Sequence, residues 1–228
     1  MIAVRVRRHL FTASTVIVLA LPLAIFTPLQ ALQFDASRIQ QSARASYGQQ
    51  GAETVSRWLA MLSQQHGQPE SAQLKAVNSF WNATVRGGED AVIWKQADYW
   101  ATPLETLGKR WGDCEDFVIG KYFSLVHVGV PAEKLRFIYV RARLGGLGSS
   151  QTIAHMVLGY YSSPDAEPLV LDSLTSSIVP ASQRRDLTPV FSFNAQGVYV
   201  AGAAQAPVER ISRWRNLLVR MEREGFRP

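Results

Sequence analysis

The chain has 228 residues, of which 47% are hydrophobic and 18% are charged, a balance typical of one globular domain and not of a disordered or fibrous protein. Its single cysteine excludes an internal disulfide and any zinc or iron–sulfur site built from several cysteines. The formal net charge is +6, but the basic residues are dispersed and form no block interleaved with aromatic residues, so we predict no nucleic-acid partner.

The first thirty or so residues have the pattern of a targeting segment. The basic stretch "VRVRRH" precedes the apolar run "LFTASTVIVLALPLAIF", which Pro22 interrupts, and Ala31 is a candidate cleavage position. We therefore expect residues 1–31 to be a signal peptide and residues 32–228 to form one exported domain. The apolar run is close to the shortest length that spans a bilayer, so an uncleaved inner-membrane anchor is the alternative.

Two amphipathic helices are predicted after this segment. The stretches "ETVSRWLAMLSQQ" and "ESAQLKAVNSFWNATV" carry apolar residues at three- and four-residue spacing, and Gly67 and Pro69 separate them. The stretch "RGGEDAVIW" then predicts a turn that leads into the aromatic-rich "KQADYWATPLETL". A further turn is predicted in that stretch, at Thr102–Pro103.

The only cysteine, Cys114, is predicted to begin a third helix. Asp113 is a favourable N-cap residue, and Asp116 lies where a capping-box carboxylate would sit, so the helix should run from Cys114 to about His127. Gly129 follows and ends it. Backbone N–H groups and the dipole of a helix start stabilise a thiolate, so this position suits a nucleophile.

The second half of the chain predicts an antiparallel sheet followed by a helix. The runs "LRFIYVRARL", "TIAHMVLGYY", "EPLVLDSL" and "PVFSFN" are rich in β-branched and aromatic residues. From Pro207, "PVERISRWRNLLVRMEREGF" predicts an amphipathic helix with a solvated basic face, the alternative being a membrane-surface or partner helix. This order of elements indicates an α+β fold in one domain.

One histidine and one acid are placed to serve the cysteine. A nucleophilic cysteine needs a base and a group that orients the base. His127 lies several turns along the cysteine's own helix, which leaves His155 as the candidate base. If the turn between the two strands is centred at Pro164–Asp165, His155 and Asp172 form a diagonal pair on one face, whereas a one-residue slip would separate them. From spacing alone, a Cys-His-Asp triad and a buried core thiol both stay open.

Three carboxylates flank the thiol, and negative charge disfavours a thiolate. Asp113, Glu115 and Asp116 offer only oxygen ligands, which suit Ca²⁺ and not zinc. A bound dication would neutralise the local charge. The alternative is that all three carboxylates are exposed helix caps.

Several stretches, in their order along the chain, resemble the LapG-type periplasmic proteases of the bacterial transglutaminase-like cysteine proteinase family. The resemblance runs from about Ala76 to about Asn194 and rests on "DYWATPLETL", "GDCEDFVIGKYFSL", "LRFIYV", "AHMVLGYY", "PLVLDSL" and "DLTPVFSFN". It implies a papain-like, transglutaminase-type core in residues 32–228, with N-terminal helices, including the nucleophile helix, packed on an antiparallel sheet. It also implies Cys114 as the nucleophile, His155 as the general base and Asp172 as the orienting acid.

The same resemblance implies a cofactor, a substrate and a regulator. The cofactor is Ca²⁺, held by Asp113, Glu115 and Asp116. The implied activity is periplasmic cleavage of a large repeat adhesin near its N-terminus, at a pair of alanines, which releases the adhesin and disperses biofilm. The implied regulator is an inner-membrane cyclic di-GMP receptor of the LapD type. Two alternatives stay open: a transglutaminase-type acyl transferase, and a catalytically idle calcium-dependent binding module on the same fold.

Overall fold

The computed structural model describes residues 33–145, 148–194, 197–199 and 211–227. The signal peptide expected at residues 1–31 lies outside these ranges. Within them, no helix combines the length and the hydropathy needed to cross a membrane.

The first half of the described chain is helical. Five helices occur before the main sheet, and the last of them begins at the cysteine. They are α1 (Ala36–Gln65), α2 (Glu70–Thr84), α3 (Asp90–Ile93), α4 (Pro103–Lys109) and α5 (Cys114–His127).

Helix α1 is longer than its sequence pattern predicts, because the C-terminal segment packs against its first half. Ile39 is fully buried there, and the main-chain N–H of Asp35 donates to the carbonyl of Gly225 at 2.9 Å. The helix is kinked at Gly48, whose φ of 65° is in the left-handed region that glycine tolerates. Tertiary contacts therefore support a stretch whose own apolar periodicity is weak.

The turn expected at Thr102–Pro103 is instead the start of helix α4. The Thr102 side chain accepts a hydrogen bond from the N–H of Glu105, and the Glu105 carboxylate accepts one from the N–H of Thr102. This is a capping box with proline in the first turn, a pattern that begins helices.

Six strands form one antiparallel sheet in the order β7-β6-β5-β4-β8-β9, so the predicted antiparallel sheet is confirmed. The strands are β4 (Leu135–Arg143), β5 (Thr152–Tyr160), β6 (Leu169–Leu171), β7 (Val179–Pro180), β8 (Leu187–Asn194) and β9 (Gly197–Tyr199). Two small ladders complete the fold. One pairs β1 (Gln33–Phe34) with β10 (Phe226–Arg227), and the other pairs β2 (Arg86–Gly87) with β3 (Trp111–Gly112).

The register of β5 and β6 is the one that a turn centred at Pro164–Asp165 dictates. Leu158 pairs with Leu171, and Gly159 pairs with Val170. Strand β6 ends one residue earlier than its sequence pattern predicts, so Asp172 lies directly after the strand and not inside it. The side-chain alternation of this register places His155 and Asp172 on one face.

Helix α5 is the central element of the core. Every residue from Asp116 to Leu125 is buried, and the helix packs against β5, α2 and α4. Its burial on all sides fixes the direction in which its first residue, Cys114, is presented. The predicted α+β arrangement of helices on an antiparallel sheet is confirmed.

The last helix, α6 (Ser212–Glu224), also joins the core. It begins at Ser212 after an extended Ile211, and the start predicted at Pro207 lies outside the described residues. Three apolar side chains of this helix are buried, and the basic Arg213 and Arg215 are exposed. The solvated basic face that we expected is therefore present, and the buried residues are Trp214, Leu217 and Met221.

Candidate active site

The start of helix α5 has the geometry that its sequence predicts. The Asp113 carboxylate accepts a hydrogen bond from the N–H of Asp116 at 3.2 Å, and the Asp116 carboxylate accepts one from the N–H of Asp113 at 3.3 Å. This reciprocal capping box makes Cys114 the first residue of the helix. The thiol therefore lies where helix N–H groups have no carbonyl one turn earlier.

His155 and Asp172 are in direct contact inside the protein. Nε2 of His155 lies 2.7 Å from Oδ1 of Asp172, and the two side chains are 3% and 0% exposed. The main-chain N–H of Leu174 donates to the same Oδ1 at 3.0 Å. With Nε2 engaged by the carboxylate, Nδ1 is the ring nitrogen left to exchange a proton with a substrate or a thiol.

The thiol of Cys114 lies against the strand that carries His155. Burial is the main cause that raises the pKa of this thiol, followed by the negative charge of Glu115. The main-chain N–H of Met156, the residue next to His155, acts in the opposite direction by hydrogen bonding to the sulfur. The Cys114 sulfur thus lies beside the residue that follows His155, and His155 contacts Asp172.

Arg184 contacts Asp172, and the sequence pattern did not single it out. Its Nη2 lies 2.7 Å from Oδ2 of Asp172 and also donates to the Asp186 carboxylate at 2.7 Å. Burial alone would raise the pKa of Asp172, but His155, the Leu174 N–H and Arg184 together lower that pKa to about 2. The carboxylate is therefore ionised throughout the neutral range, as an orienting acid must be.

Three carboxylates form a cluster, and two of them lie one residue before and two residues after Cys114. Asp90, Asp113 and Asp116 each offer one oxygen, and these oxygens lie within 4.8 Å of one another. Burial raises the pKa of Asp113 and of Asp116, and the charges of the neighbouring carboxylates add to the effect. The arrangement is electrostatically costly without a cation.

The residues of this cluster fit a hard divalent cation. Asp90 is only 6% exposed, and its Oδ2 accepts a hydrogen bond from the N–H of Tyr99 at 2.5 Å. Its Oδ1 is buried and has no hydrogen-bond partner among the residues that the structure describes. A carboxylate with one buried oxygen that has no donor, clustered with two further carboxylates, provides the oxygen ligands and the charge that such a cation requires.

The structure places the three predicted metal ligands differently. Asp113 and Asp116 belong to the cluster, whereas Oε2 of Glu115 lies 2.7 Å from the Cys114 sulfur and accepts its S–H. Glu115 as a metal ligand stays a prediction. Asp90 takes the third place in the cluster. It is the first residue of α3, far from Cys114 along the chain, so no local pattern marks it.

The comparisons with known proteins agree with this arrangement. Residues 47–185 match the family model described as bacterial transglutaminase-like cysteine proteinase. The solved structure of EGTA-treated LapG from Legionella pneumophila is 38% identical, with a TM-score of 0.72 over 84% of this chain and 100% of that chain. No curated protein sequence matches the chain.

Two further structures of LapG from Legionella pneumophila are similar. One is 39% identical, with a TM-score of 0.71 over 84% of this chain and 99% of that chain. The other, which is calcium-bound, is 38% identical, with a TM-score of 0.69 over 82% of this chain and 98% of that chain. The transglutaminase-type core that the sequence predicted is confirmed by these matches.

Proposed function

The chain belongs to the bacterial transglutaminase-like cysteine proteinase family and is a cysteine peptidase, and from this premise we propose that it is a calcium-dependent endopeptidase of the periplasm. We assign Cys114 as its nucleophile, His155 as its general base and Asp172 as the acid that orients the base. The observation that carries the proposal is the 2.7 Å contact between Asp172 and His155. His155 belongs to the strand that lies beside the Cys114 thiol.

The first chemical step follows from the orientation of the imidazole. Nδ1 of His155 takes the proton of the Cys114 thiol while the sulfur attacks the carbonyl carbon of the scissile amide. Main-chain N–H groups at the start of α5 are the natural donors to the oxyanion that forms. His155 then gives the proton to the leaving amine, the C–N bond breaks, and a thioester remains on Cys114.

The second step regenerates the enzyme. A water molecule gives one proton to His155 and attacks the thioester carbon, so a C–O bond forms and the C–S bond breaks. The proton returns from His155 to the sulfur. Throughout both steps Asp172 holds the ring in one orientation and stabilises the imidazolium, since the contacts that lower its pKa keep it ionised.

We propose that Asp90, Asp113 and Asp116 hold the calcium ion. When bound, the ion supplies positive charge that offsets the carboxylates beside the thiol and fixes the loop before α5. Two facts support calcium: a similar protein, LapG, has a calcium-bound structure, and the donors in this chain are all oxygens with one buried atom unpartnered. The capping box holds Asp113 and Asp116 in place for this role.

The proposed substrate is the N-terminal region of a large repeat adhesin, cut at a pair of alanines, so that release of the adhesin disperses biofilm. The proposed regulator is an inner-membrane cyclic di-GMP receptor of the LapD type, which would sequester the protease. The similarity to LapG over more than four-fifths of the chain supports both. The regulator is testable by gel filtration of the protease with the receptor's periplasmic domain, where failure to co-elute would contradict this part.

One experiment tests the central activity. The purified protein is incubated with the N-terminal fragment of the host's largest repeat adhesin, with calcium or with EGTA, and new termini are mapped by mass spectrometry. We expect one cut between two alanines with calcium, no cut with EGTA and no cut by Cys114→Ala. Cleavage that persists in Cys114→Ala would overturn the assignment. Adding a primary amine as acyl acceptor distinguishes a hydrolase from an acyl transferase. An amine adduct as the main product would contradict hydrolysis.

A further inference from the structure

Helix α5 carries a lysine in the middle of the core. Lys121 lies about two helical turns after Cys114, so it projects from nearly the same side of the helix as the thiol. Its side chain is 0% exposed. The Nζ atom donates to the main-chain carbonyl of Asp172 at 3.0 Å.

This position is unfavourable for a lysine unless the side chain has a specific task. Removing an ammonium group from water is costly, and burial lowers the pKa of Lys121 to about 7 although the charge of Asp172 opposes the shift. An apolar side chain of the same length would fill the space without that cost. The ring of Phe117, 5.8 Å away, is a weak compensating contact.

The contact that Lys121 makes is with the triad acid's own main chain. Strand β6 ends at Leu171, so the carbonyl of Asp172 lies past the last ladder pair of that strand. Lys121 donates to this carbonyl from α5, and Nδ2 of Asn82 donates to it from α2 at 2.8 Å. The Asp172 side chain is held separately, by His155 on Oδ1 and by Arg184 on Oδ2.

We propose that Lys121 is a positioning residue, which ties the main chain of the triad acid Asp172 to the helix that presents the nucleophile Cys114. Lys121 thereby joins α5 directly to the residue that contacts His155. The lysine therefore sets the distance between the thiol and the His155–Asp172 pair, because one rigid helix carries both its Nζ and the sulfur. This inference rests on the proposed catalytic roles of Cys114, His155 and Asp172.

The substitution Lys121→Met tests this role, because it keeps the length of the side chain and removes the donor. Asn82 still satisfies the Asp172 carbonyl, so we expect the melting temperature to be unchanged or higher. We expect kcat per titrated Cys114 thiol to fall roughly tenfold or more with KM within about twofold, since a small displacement of a catalytic group is costly. Lys121→Gln, which retains an N–H donor, should recover part of the loss.

The matched control is Lys75→Met, which removes an exposed lysine from α2 and should leave kcat and KM as in the wild type. A kcat of Lys121→Met within about twofold of the wild type per folded molecule would overturn the proposal, whatever happens to the melting temperature. The proposal would also be overturned if Lys121→Met and Lys121→Gln had the same kcat and both values were below that of the wild type. If Lys121→Met does not fold, Lys121→Leu, which also lacks a donor, replaces it under the same limit.

A second readout separates this inference from the proposed function. The rate at which iodoacetamide alkylates Cys114 in the presence of calcium needs the thiol and its base but no peptide. We expect Lys121→Met to slow alkylation by a factor similar to its loss of kcat. If the wild type cuts no adhesin fragment but Lys121→Met still slows alkylation, the substrate proposal fails and Lys121 stands. If the wild type cuts and Lys121→Met alkylates at the wild-type rate, the Lys121 proposal fails alone.

Discussion

Nε2 of His155 lies 2.7 Å from Oδ1 of Asp172, and the two residues come from β5 and from the position directly after β6. In the proposed mechanism this contact occupies Nε2 and leaves Nδ1 to exchange protons with the thiol and the substrate. It also couples the chemistry to the register of one hairpin, because a one-residue slip would turn the two side chains to opposite faces.

Asp172 should contribute to stability in a pH-dependent way. Its pKa is about 2 in the folded chain, below the value of about 3.9 for an unfolded aspartate, so its contribution is present above about pH 4 and is lost as the pH falls toward 2. We expect Asp172→Asn to lower the free energy of unfolding by about 2 kcal/mol at neutral pH. Urea unfolding between about pH 2 and pH 7 measures the difference, which should shrink below about pH 4.

The control for this prediction is Asp165→Asn, in the exposed turn of the same hairpin. It removes an acid without a buried partner, so the free energy of unfolding should change by less than about 0.5 kcal/mol. A deficit in Asp172→Asn that stays constant down to pH values near 2 would contradict the ion-pair account of its pKa.

Asp90 should be required for calcium binding although it lies far from the thiol in sequence. Asp90→Asn removes the negative charge of a carboxylate whose Oδ1 is buried without a hydrogen-bond donor among the described residues. We expect calcium affinity to fall roughly tenfold or more, with a parallel loss of calcium-dependent activity. Isothermal titration with calcium chloride measures the affinity. Glu89→Gln, an exposed neighbour, is the control and should bind calcium normally.

Gly112 should be needed to seat Asp116. A Cβ at this position would lie 2.8 Å from Cβ and 2.9 Å from Oδ2 of Asp116, so Gly112→Ala must displace that side chain. We expect weaker calcium binding and a lower cleavage rate, both measured with the assays above. The paired glycine of the same two-residue ladder provides the comparison. Gly87→Ala meets open space, and a loss in that variant equal to the loss in Gly112→Ala would contradict the steric argument.

Ser124 should stabilise the fold by accepting two buried hydrogen bonds beneath the site. Its Oγ accepts hydrogen bonds from the indole N–H groups of Trp58 at 2.9 Å and Trp81 at 3.0 Å, and all three residues are buried. Ser124→Ala leaves two buried donors without an acceptor, which we expect to cost about 2 to 5 kcal/mol in urea unfolding. Ser56→Ala removes a similar serine that also bonds the carbonyl four residues earlier, but at an exposed position. Its cost should stay below about 0.5 kcal/mol.

The nucleophile helix and the triad hairpin could be predicted because their determinants are local. Asp113 and Asp116 cap α5 within one turn, so its start at Cys114 follows from adjacent residues. The hairpin register follows from a short connection between two apolar runs. Proline in "TPLE" predicts a turn, but the structure has helix α4 there, because the same stretch carries a capping box and proline is favoured as a first helical residue.

The remaining parts of the site depend on contacts between distant segments. Asp90 reaches the acidic cluster, Arg184 reaches Asp172, and Lys121 reaches the carbonyl of Asp172 only after the helices and the sheet have packed. A buried lysine in an apolar helix is visible in the sequence as an anomaly, but its partner is not. The same is true of Glu115, whose adjacency to Cys114 does not reveal that its carboxylate turns toward the sulfur.

The assignment of Cys114 as nucleophile is tested most directly by trapping the intermediate. Wild-type enzyme turning over the adhesin fragment with calcium is quenched in acid, digested and analysed by mass spectrometry. The account predicts an acyl adduct on the peptide that contains Cys114, with an added mass equal to that of the N-terminal product less one water, and no adduct in Cys114→Ala. Cleavage by the wild type with no adduct on Cys114, together with cleavage by Cys114→Ala at the same rate, would contradict it.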